Sequence, residues 1–326
     1  MLKVGFAGAG FIAGVHAGLL GDMPDVQVAA VFDADGAQAR TFAERTGARV
    51  VPTFDALLDE ADAVYLCTPN VYHAGLAVVA LAAGRHVFSE KPMATSMSGA
   101  QRVREAAGRS AGIYQLGFNK RFAPIYTSLK ERMDGGELTP RWAHIKMNRG
   151  ELQKPSWVAD ESLTGGFLYE TPIHLLDAML WLFGPAREVV CRAAQSCSDQ
   201  LDDFAMLLTF APGLTATFCS SAHATWLYPY ERVEVYGDHA TAVTEEMDRV
   251  TVQLALDAEP ETIDVSEQPF AERWGYRAED EAFVAAVRGE REPAVGVEEG
   301  LRATELVDAC YRAASTRQPV VVSEKG

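Results

Sequence analysis

Glu170, Pro172 and His174 fall within five positions of one stretch, TGGFLYETPIHLLD, residues 164–177. On an unbroken helix the carboxylate and the imidazole, four residues apart, share a face, where an acid can orient a histidine for proton transfer. Pro172 disturbs that picture. Proline is tolerated in the first helical turn because its missing N–H has no intrahelical partner there. Thr171 then reads as the N-cap with Pro172 at N1, Glu170 just before the helix and His174 in its first turn. A helix N-terminus disfavours imidazolium and so suits a neutral, proton-accepting His174. The bland alternative stays open: a helix entry that contains a histidine, with Glu170 in a structural hydrogen bond.

A second stretch, GFAGAGFIAG, follows the apolar run KVGFA and opens a helical pattern. As G-x-G-x-x-A it uses Gly8 for a tight turn, Gly10 for bare backbone against a pyrophosphate, and Ala13 for close helix packing. Phe11 and Ile12 lie between these positions and join the same dinucleotide set. Asp33 ends the next apolar run, 20 residues beyond Ala13. There it can accept hydrogen bonds from adenosine ribose hydroxyls and repel a 2′-phosphate, which favours NAD over NADP. Its alternative role is to cap the following helix, a role Asp35 could also fill.

The elements that must hold these residues read in two styles. Up to about residue 118, short apolar runs (KVGFA, VQVAAVF, AVYLC, HVFSE, GIYQLGF) alternate with helical patterns. That alternation predicts a parallel sheet with helices on both faces. Beyond it come a helix at 125–134, the run RWAHIKMN, a long loop and a helix at 175–183. The runs REVVCRAAQ, FAMLLTF, LTATFCSSAHA and ERVEVYG follow with turns between them and no helices, which predicts an antiparallel meander. Two helices and the run PVVV close the chain. The expected fold class is therefore α/β: a doubly wound N-terminal domain over 1–118 and an α/β domain with a large, mostly antiparallel open sheet over 119–326, the boundary lying near Gly117 to Asn119.

At 326 residues two domains are the expected organisation. The formal charge of −16, from 29 basic against 45 acidic residues with no basic stripe, argues against a nucleic-acid groove or an anionic membrane surface. The five scattered cysteines read as reduced core thiols and point to the cytoplasm. The apolar start is broken by glycines and reads as the dinucleotide loop, not a signal peptide. Histidines and cysteines never cluster at ligand spacing, so no metal is expected. Asp202–Asp203 reads as an exposed turn at a strand start.

By GAGFIAGVH, TPNVYHAGLAVVALAAGRHVFSEKPMA and GGFLYETPIHLLD, in this order, the chain resembles the glucose–fructose oxidoreductase / inositol dehydrogenase (Gfo/Idh/MocA) family over essentially its full length. The resemblance implies a Rossmann domain paired with an α/β domain whose open sheet mediates homodimers or homotetramers. It also implies NAD-dependent oxidation of a secondary alcohol of a sugar or cyclitol. Carried across, the Glu-Lys-Pro motif is Glu90, Lys91 and Pro92, with the lysine on the reacting oxygen and the proline often cis. Thr68, Pro69 and Asn70 form a turn near the cofactor, and His73 on the next helix is counted with that set, although a histidine on a Rossmann helix is ordinarily structural. The family's Asp-x-Gly-x-His segment corresponds to Glu170 through His174, with Glu for the commoner Asp and Pro for the commoner Gly.

The residues themselves agree with that placement. Lys91 directly follows a parallel strand, at the carboxyl edge where open α/β sheets bind ligands, and an ammonium there would stabilise a developing alkoxide. Glu90 either fixes the turn or takes part in chemistry. The implied reaction moves a hydride from a carbinol carbon to nicotinamide C4 while His174 takes the hydroxyl proton and Lys91 stabilises the oxygen. Arg121 is a substrate or domain-interface candidate, and Trp157 either stacks on a sugar ring or anchors its loop. Lys120, Arg149 and Lys154 could add to a basic pocket for a phosphorylated substrate. Two rival functions stay in view: an NAD-dependent glycosidase acting by transient oxidation, and a non-enzymatic cofactor-sensing regulator.

Overall fold

The structure is a computed structural model describing residues 1–150, 156–211 and 213–322. Six parallel strands open the chain: β1 (Leu2–Ala7), β2 (Val26–Phe32), β3 (Arg49–Val50), β4 (Ala63–Leu66), β5 (His86–Glu90) and β6 (Tyr114–Gly117). They alternate with α1 (Phe11–Gly21), α2 (Gly36–Thr46), α3 (Phe54–Glu60), α4 (Asn70–Ala82) and α5 (Met97–Ala107). The strand order is β3-β2-β1-β4-β5-β6, so the order of winding reverses between β1 and β4, and ligands of such sheets bind outside the carboxyl ends of the strands at that switch point. Strands such as Ala63–Leu66 are buried throughout, as expected of parallel strands covered on both faces. Helix α1 buries Ala13, His16, Ala17 and Leu20, an i, i+3, i+4, i+7 spacing that keeps one stripe against the sheet.

The second sheet has nine strands: β7 (Trp142–Met147), β8 (Ala186–Ala194), β9 (Asp203–Phe210), β10 (Thr215–Ser221), β11 (Glu231–Tyr236), β12 (Thr241–Glu245), β13 (Arg249–Gln253), β14 (Glu261–Asp264) and β15 (Val320–Val321). Its order is β14-β13-β12-β11-β7-β10-β9-β8-β15. The simple meander expected from sequence is corrected here: β7 inserts between β10 and β11, parallel to the first and antiparallel to the second. Alternation sends Ala143 and Ile145 of β7, Ala216 and Phe218 of β10, and Val233 and Val235 of β11 to a buried face. Helices α6 (Pro124–Asp134), α7 (Glu161–Thr164), α8 (Phe167–Glu170), α9 (Ile173–Phe183) and α10 (Phe270–Arg273) accompany this sheet, followed by α11 (Tyr276–Val287) and α12 (Val297–Thr316).

The chain divides into two compact units, Met1–Phe118 with Tyr276–Thr304, and Asn119–Gly275 with Glu305–Gly326. The expectation that all of 119–326 forms one domain is corrected for Tyr276–Thr304, which returns to the first unit. The reason is an aromatic core: Phe283 of α11 meets Tyr65 and Phe88 edge-on at 5.4 and 5.6 Å, while Tyr65 and Phe88 stack at 4.5 Å. No helix among the described residues is long and apolar enough to cross a membrane, and all five cysteines are free.

Candidate functional site

The carboxyl edge of the first sheet carries the dinucleotide motif. Gly8 has φ +95°, and a Cβ there would lie 2.3 Å from the Cys67 carbonyl oxygen, so only glycine fits between β1 and β4. A Cβ on Gly10 would meet nothing within 4 Å: the space above the start of α1 is open. Helix α1 has no side-chain cap at Gly10, which suits an anion on the first N–H groups of Phe11, Ile12 and Ala13. The Asp33 carboxylate accepts the Ala9 N–H at 2.7 Å and the Asp35 N–H at 2.8 Å, tying the glycine loop to the end of β2. The cap of α2 is Asp35, whose side chain accepts from Ala37 N–H, so Asp33 is not spent on capping. Thr68 Oγ1 is buried without a hydrogen-bond partner among the described residues, an orphan that a ligand at this edge would satisfy. Glycine loop, uncapped helix, aspartate and orphan hydroxyl together fit NAD. Pro69 precedes α4 and Asn70 opens it.

Lys91, half-buried, leaves β5 beside Glu90, and the Lys91–Pro92 bond is cis. Glu90 is 7% exposed and accepts the Lys91 N–H at 3.1 Å through Oε2. Its Oε1 lies 3.2 Å from His16 Nε2, and His16 Nδ1 lies 2.8 Å from Asp280 on α11. Burial opposes charge on His16, but Asp280 and then Glu90 outweigh it and push the imidazole up to about 10. Burial alone would raise the Glu90 carboxyl; the His16 hydrogen bond and charge, with Lys91 and His73, hold it below the usual carboxylate range. His73 is 1% exposed and spans the Thr68 carbonyl at 2.7 Å and the Pro92 carbonyl at 2.8 Å. Burial holds the His73 pKa below its usual value, so the neutral ring donates to one of these carbonyls at a time while packed between the Thr-Pro-Asn turn and the Glu-Lys-Pro turn.

In the second unit Gly166 has φ +110°, and a Cβ would lie 2.4 Å from the Tyr311 hydroxyl, which accepts the Leu168 N–H. That contact starts α8, and Glu170 therefore ends a helical turn and does not lie in a loop. Thr171 is the C-cap of α8 and Pro172 the N-cap of α9, one residue later than the Thr171 cap read from sequence. Pro172 has no N–H to continue the α8 ladder, so the chain breaks there and restarts with His174, half-buried, in the first turn of α9. Glu170, 7% exposed, takes the Arg149 guanidinium at 2.7 Å, and the same nitrogen reaches Thr171 Oγ1 at 2.8 Å. Thr171 Oγ1 also donates to Glu170. Arg149 is held from behind by its own N–H on the Ser221 carbonyl. This arginine, 21 residues before its partner, was expected as a member of a basic pocket; its pairing with Glu170 had no local signal in the sequence.

Arg121 makes two bonds to Asp177, at 2.8 and 2.7 Å. Its guanidinium carbon sits 6.0 Å over the Trp181 ring, so it braces α9 one turn after His174. Lys120 is 2% exposed and gives its ammonium to Glu231 at 2.7 and 2.6 Å and to Met247 Sδ at 3.2 Å. Trp157 is half-buried in a short 3-10 turn, Ser156–Ala159, and Lys154 lies outside the described residues. Asp202, Asp203 and His223 bring ligand atoms within 4.8 Å of one another. The Asp202 oxygens, however, accept the N–H groups of Ser196, Cys197 and Ser198, and Asp203 pairs with His223 at 2.8 Å. The group is a hydrogen-bonded loop clamp, and the Asp202–Asp203 pair read as an exposed turn is buried at Asp202.

Comparison with known proteins matches the chain in two consecutive segments. Residues 2–118 match the model of the oxidoreductase family's NAD-binding Rossmann fold, and residues 134–322 match the family's C-terminal α/β domain. The chain is 27% identical to inositol 2-dehydrogenase of Rhizobium meliloti (strain 1021), over 99% of each chain. GenD2 from gentamicin A biosynthesis, solved with NAD, superposes with a TM-score of 0.87 at 25% identity, covering 99% of this chain and 96% of that one. Levoglucosan dehydrogenase with NADH shares the fold at a TM-score of 0.91 and 20% identity, over 99% of each chain. Two consecutive domain models spanning nearly the whole chain make the protein a member of the Gfo/Idh/MocA family of NAD-binding oxidoreductases.

Proposed function

We propose that the protein oxidises a secondary alcohol of a sugar or cyclitol, with Lys91 on the reacting oxygen and His174 accepting the hydroxyl proton. NAD, when bound, supplies the hydride acceptor. Gly8, Gly10 and the start of α1 take the pyrophosphate, and Asp33 the adenosine ribose. Lys91 contributes positive charge where alkoxide character develops, and Glu90 and His73 fix the turn that carries it. Glu170, paired with Arg149 and Thr171, binds a neighbouring substrate hydroxyl and holds the helix entrance that presents His174. Arg121 acts through α9, by its grip on Asp177, and Trp157 offers an aromatic face to the ring.

The observation that carries this reading is the carboxyl edge of the first sheet, where a nucleotide-fitting loop and a lysine beside a buried carboxylate occur together. The names of the relatives, inositol 2-dehydrogenase and D-glucoside 3-dehydrogenase among them, support the substrate class. A homodimer or homotetramer in the cytoplasm completes the proposal, the oligomer to be read by sedimentation.

The test is a panel of inositols, aldoses and sugar phosphates with NAD and NADP, following the reduced cofactor. On the substrate found, Lys91→Ala and His174→Ala should each lower kcat by about 100-fold or more while NAD still binds. Near-normal turnover in either variant removes that residue from the reaction. Cleavage of a glycoside without net NADH would move the protein to the transient-oxidation class.

A further inference from the structure

The dehydrogenase reading does not use His16 or Asp280, yet both are fully buried beneath the Glu-Lys-Pro turn. The imidazole sits between two carboxylates, Asp280 on Nδ1 at 2.8 Å and Glu90 on Nε2 at 3.2 Å. A neutral ring has one N–H and could serve one ionised carboxylate as donor; serving both needs a proton on each nitrogen. The other groups packed around it leave that proton in place. Tyr65 of β4 donates to Asp280 at 3.0 Å, Phe88 and Tyr276 meet the ring at 5.0 and 5.7 Å, and Glu279 lies beside Asp280 on α11. Beyond Glu90 come the Lys91 and His73 side chains, whose charges act on its carboxyl.

We propose that His16 and Asp280 are positioning residues for catalysis: the chain Asp280···His16···Glu90 fixes the Glu90 carboxylate from below, and through it the Lys91 turn. The inference rests on the dehydrogenase reading for its catalytic consequence, though not for its charge arrangement. It gives α11 a task. The helix returns to the first unit to bring one carboxylate to the ring that α1, the dinucleotide helix, presents to β5. His16, on the NAD-binding helix, thereby anchors the lysine turn through Glu90.

Two measurements test this. In the wild type, side-chain 15N NMR should show His16 doubly protonated at pH 8, and a neutral ring there overturns the proposal whatever the enzyme turns over. In Asp280→Asn, His16 loses its stronger anion and with it the charge that holds Glu90 ionised. The acid limb of kcat, which His174 sets in the wild type, should then gain a second, Glu90-linked fall and steepen, and kcat should fall at least about tenfold with KM for NAD within about twofold. Tyr65→Phe keeps all three charges and should leave kcat and its pH profile unchanged. A folded Asp280→Asn with lower Tm but an unaltered kcat and pH profile makes the chain merely structural and overturns the proposal. If Asp280→Asn does not fold, the NMR result decides. A wild type inert toward every polyol, with His16 protonated, overturns only the dehydrogenase reading.

Discussion

Each unit holds a fully enclosed cation beside buried carboxylates, His16 in the first and Lys120 in the second, and the two clusters resolve their charge differently. In the first, His16 has two N–H groups pointing in opposite directions, and each meets a carboxylate. Glu90 is consequently held below the usual carboxylate range despite its burial. In the second, all three Lys120 donors are taken, two by Glu231 and one by Met247. None is left for Glu246, 4% exposed nearby. Burial, and next to it the Glu231 charge against partial relief from the Tyr230 N–H, pushes the Glu246 carboxyl up to about 7. The number of donors and their directions, more than the count of charges, decide which buried acid stays ionised.

The strongest test of that contrast is to delete each cluster's ionic partner. Lys120→Met leaves Glu231, with 0% exposure, facing only the Tyr126 hydroxyl at 3.1 Å within its cluster, and should cost about 3–5 kcal/mol in urea unfolding. Adding Glu231→Leu should recover most of that loss, because a well-packed apolar pair is often as stable as a buried ion pair. Asp280→Asn should cost less, since the amide oxygen still accepts the His16 Nδ1–H and the ring and Glu90 can neutralise each other by proton transfer, leaving no lone buried charge. Equal losses in the two single variants would mean that donor direction does not matter.

A smaller effect is expected at Arg121, the second unit's other buried ion pair. Its two bonds to Asp177 use the planar fork of a guanidinium, which an ammonium cannot reproduce. Arg121→Lys should cost about 2–3 kcal/mol. If the pair also braces α9, kcat should fall more than KM rises. Unchanged stability would show that a point charge suffices there.

What the sequence disclosed and what it hid follow the same physics. Motifs built from consecutive residues were legible: Gly8, Gly10 and Ala13, the Glu90–Lys91 turn, and the Glu170–His174 segment. Partners from distant segments were not. Asp280 lies 264 positions from His16 and Glu231 lies 111 from Lys120, and no local periodicity carries such distances. Strands β12 and β13 were missed although TAVTE and RVTVQ alternate. Their hairpin lacks the usual Asn-Gly or Asp-Gly signal, because Glu246 itself carries the positive φ, at +54°. Strand β7 was legible as a strand but its place between β10 and β11 was not, since a chain-order reading pairs neighbours in sequence. The return of α11 was hidden for a like reason: an amphipathic helix does not say which sheet its apolar face will meet.

Glu246 offers the smallest and most specific test. Its folded value near 7 lies above the ordinary 4.5, so between these pH values the folded chain binds more protons than the unfolded one. Unfolding free energy from this group therefore falls as pH rises: the contribution is complete below about 4.5 and gone above about 7, a change of about 3 kcal/mol at full strength and about 1–2 kcal/mol once solvent screening of the carboxyl is allowed for. His73 and His86, held below 6.5 chiefly by burial, tilt the same window the other way, and His16 acts mainly between 6.5 and 10. The difference between two proteins thus isolates the effect. Glu246→Gln keeps an oxygen for the Tyr230 N–H but cannot titrate, so its urea midpoint should lose this fall between pH 5 and 7 and exceed that of the wild type at pH 8. Parallel curves for the two proteins would show that Glu246 is ionised throughout, and that Lys120 serves both carboxylates after all.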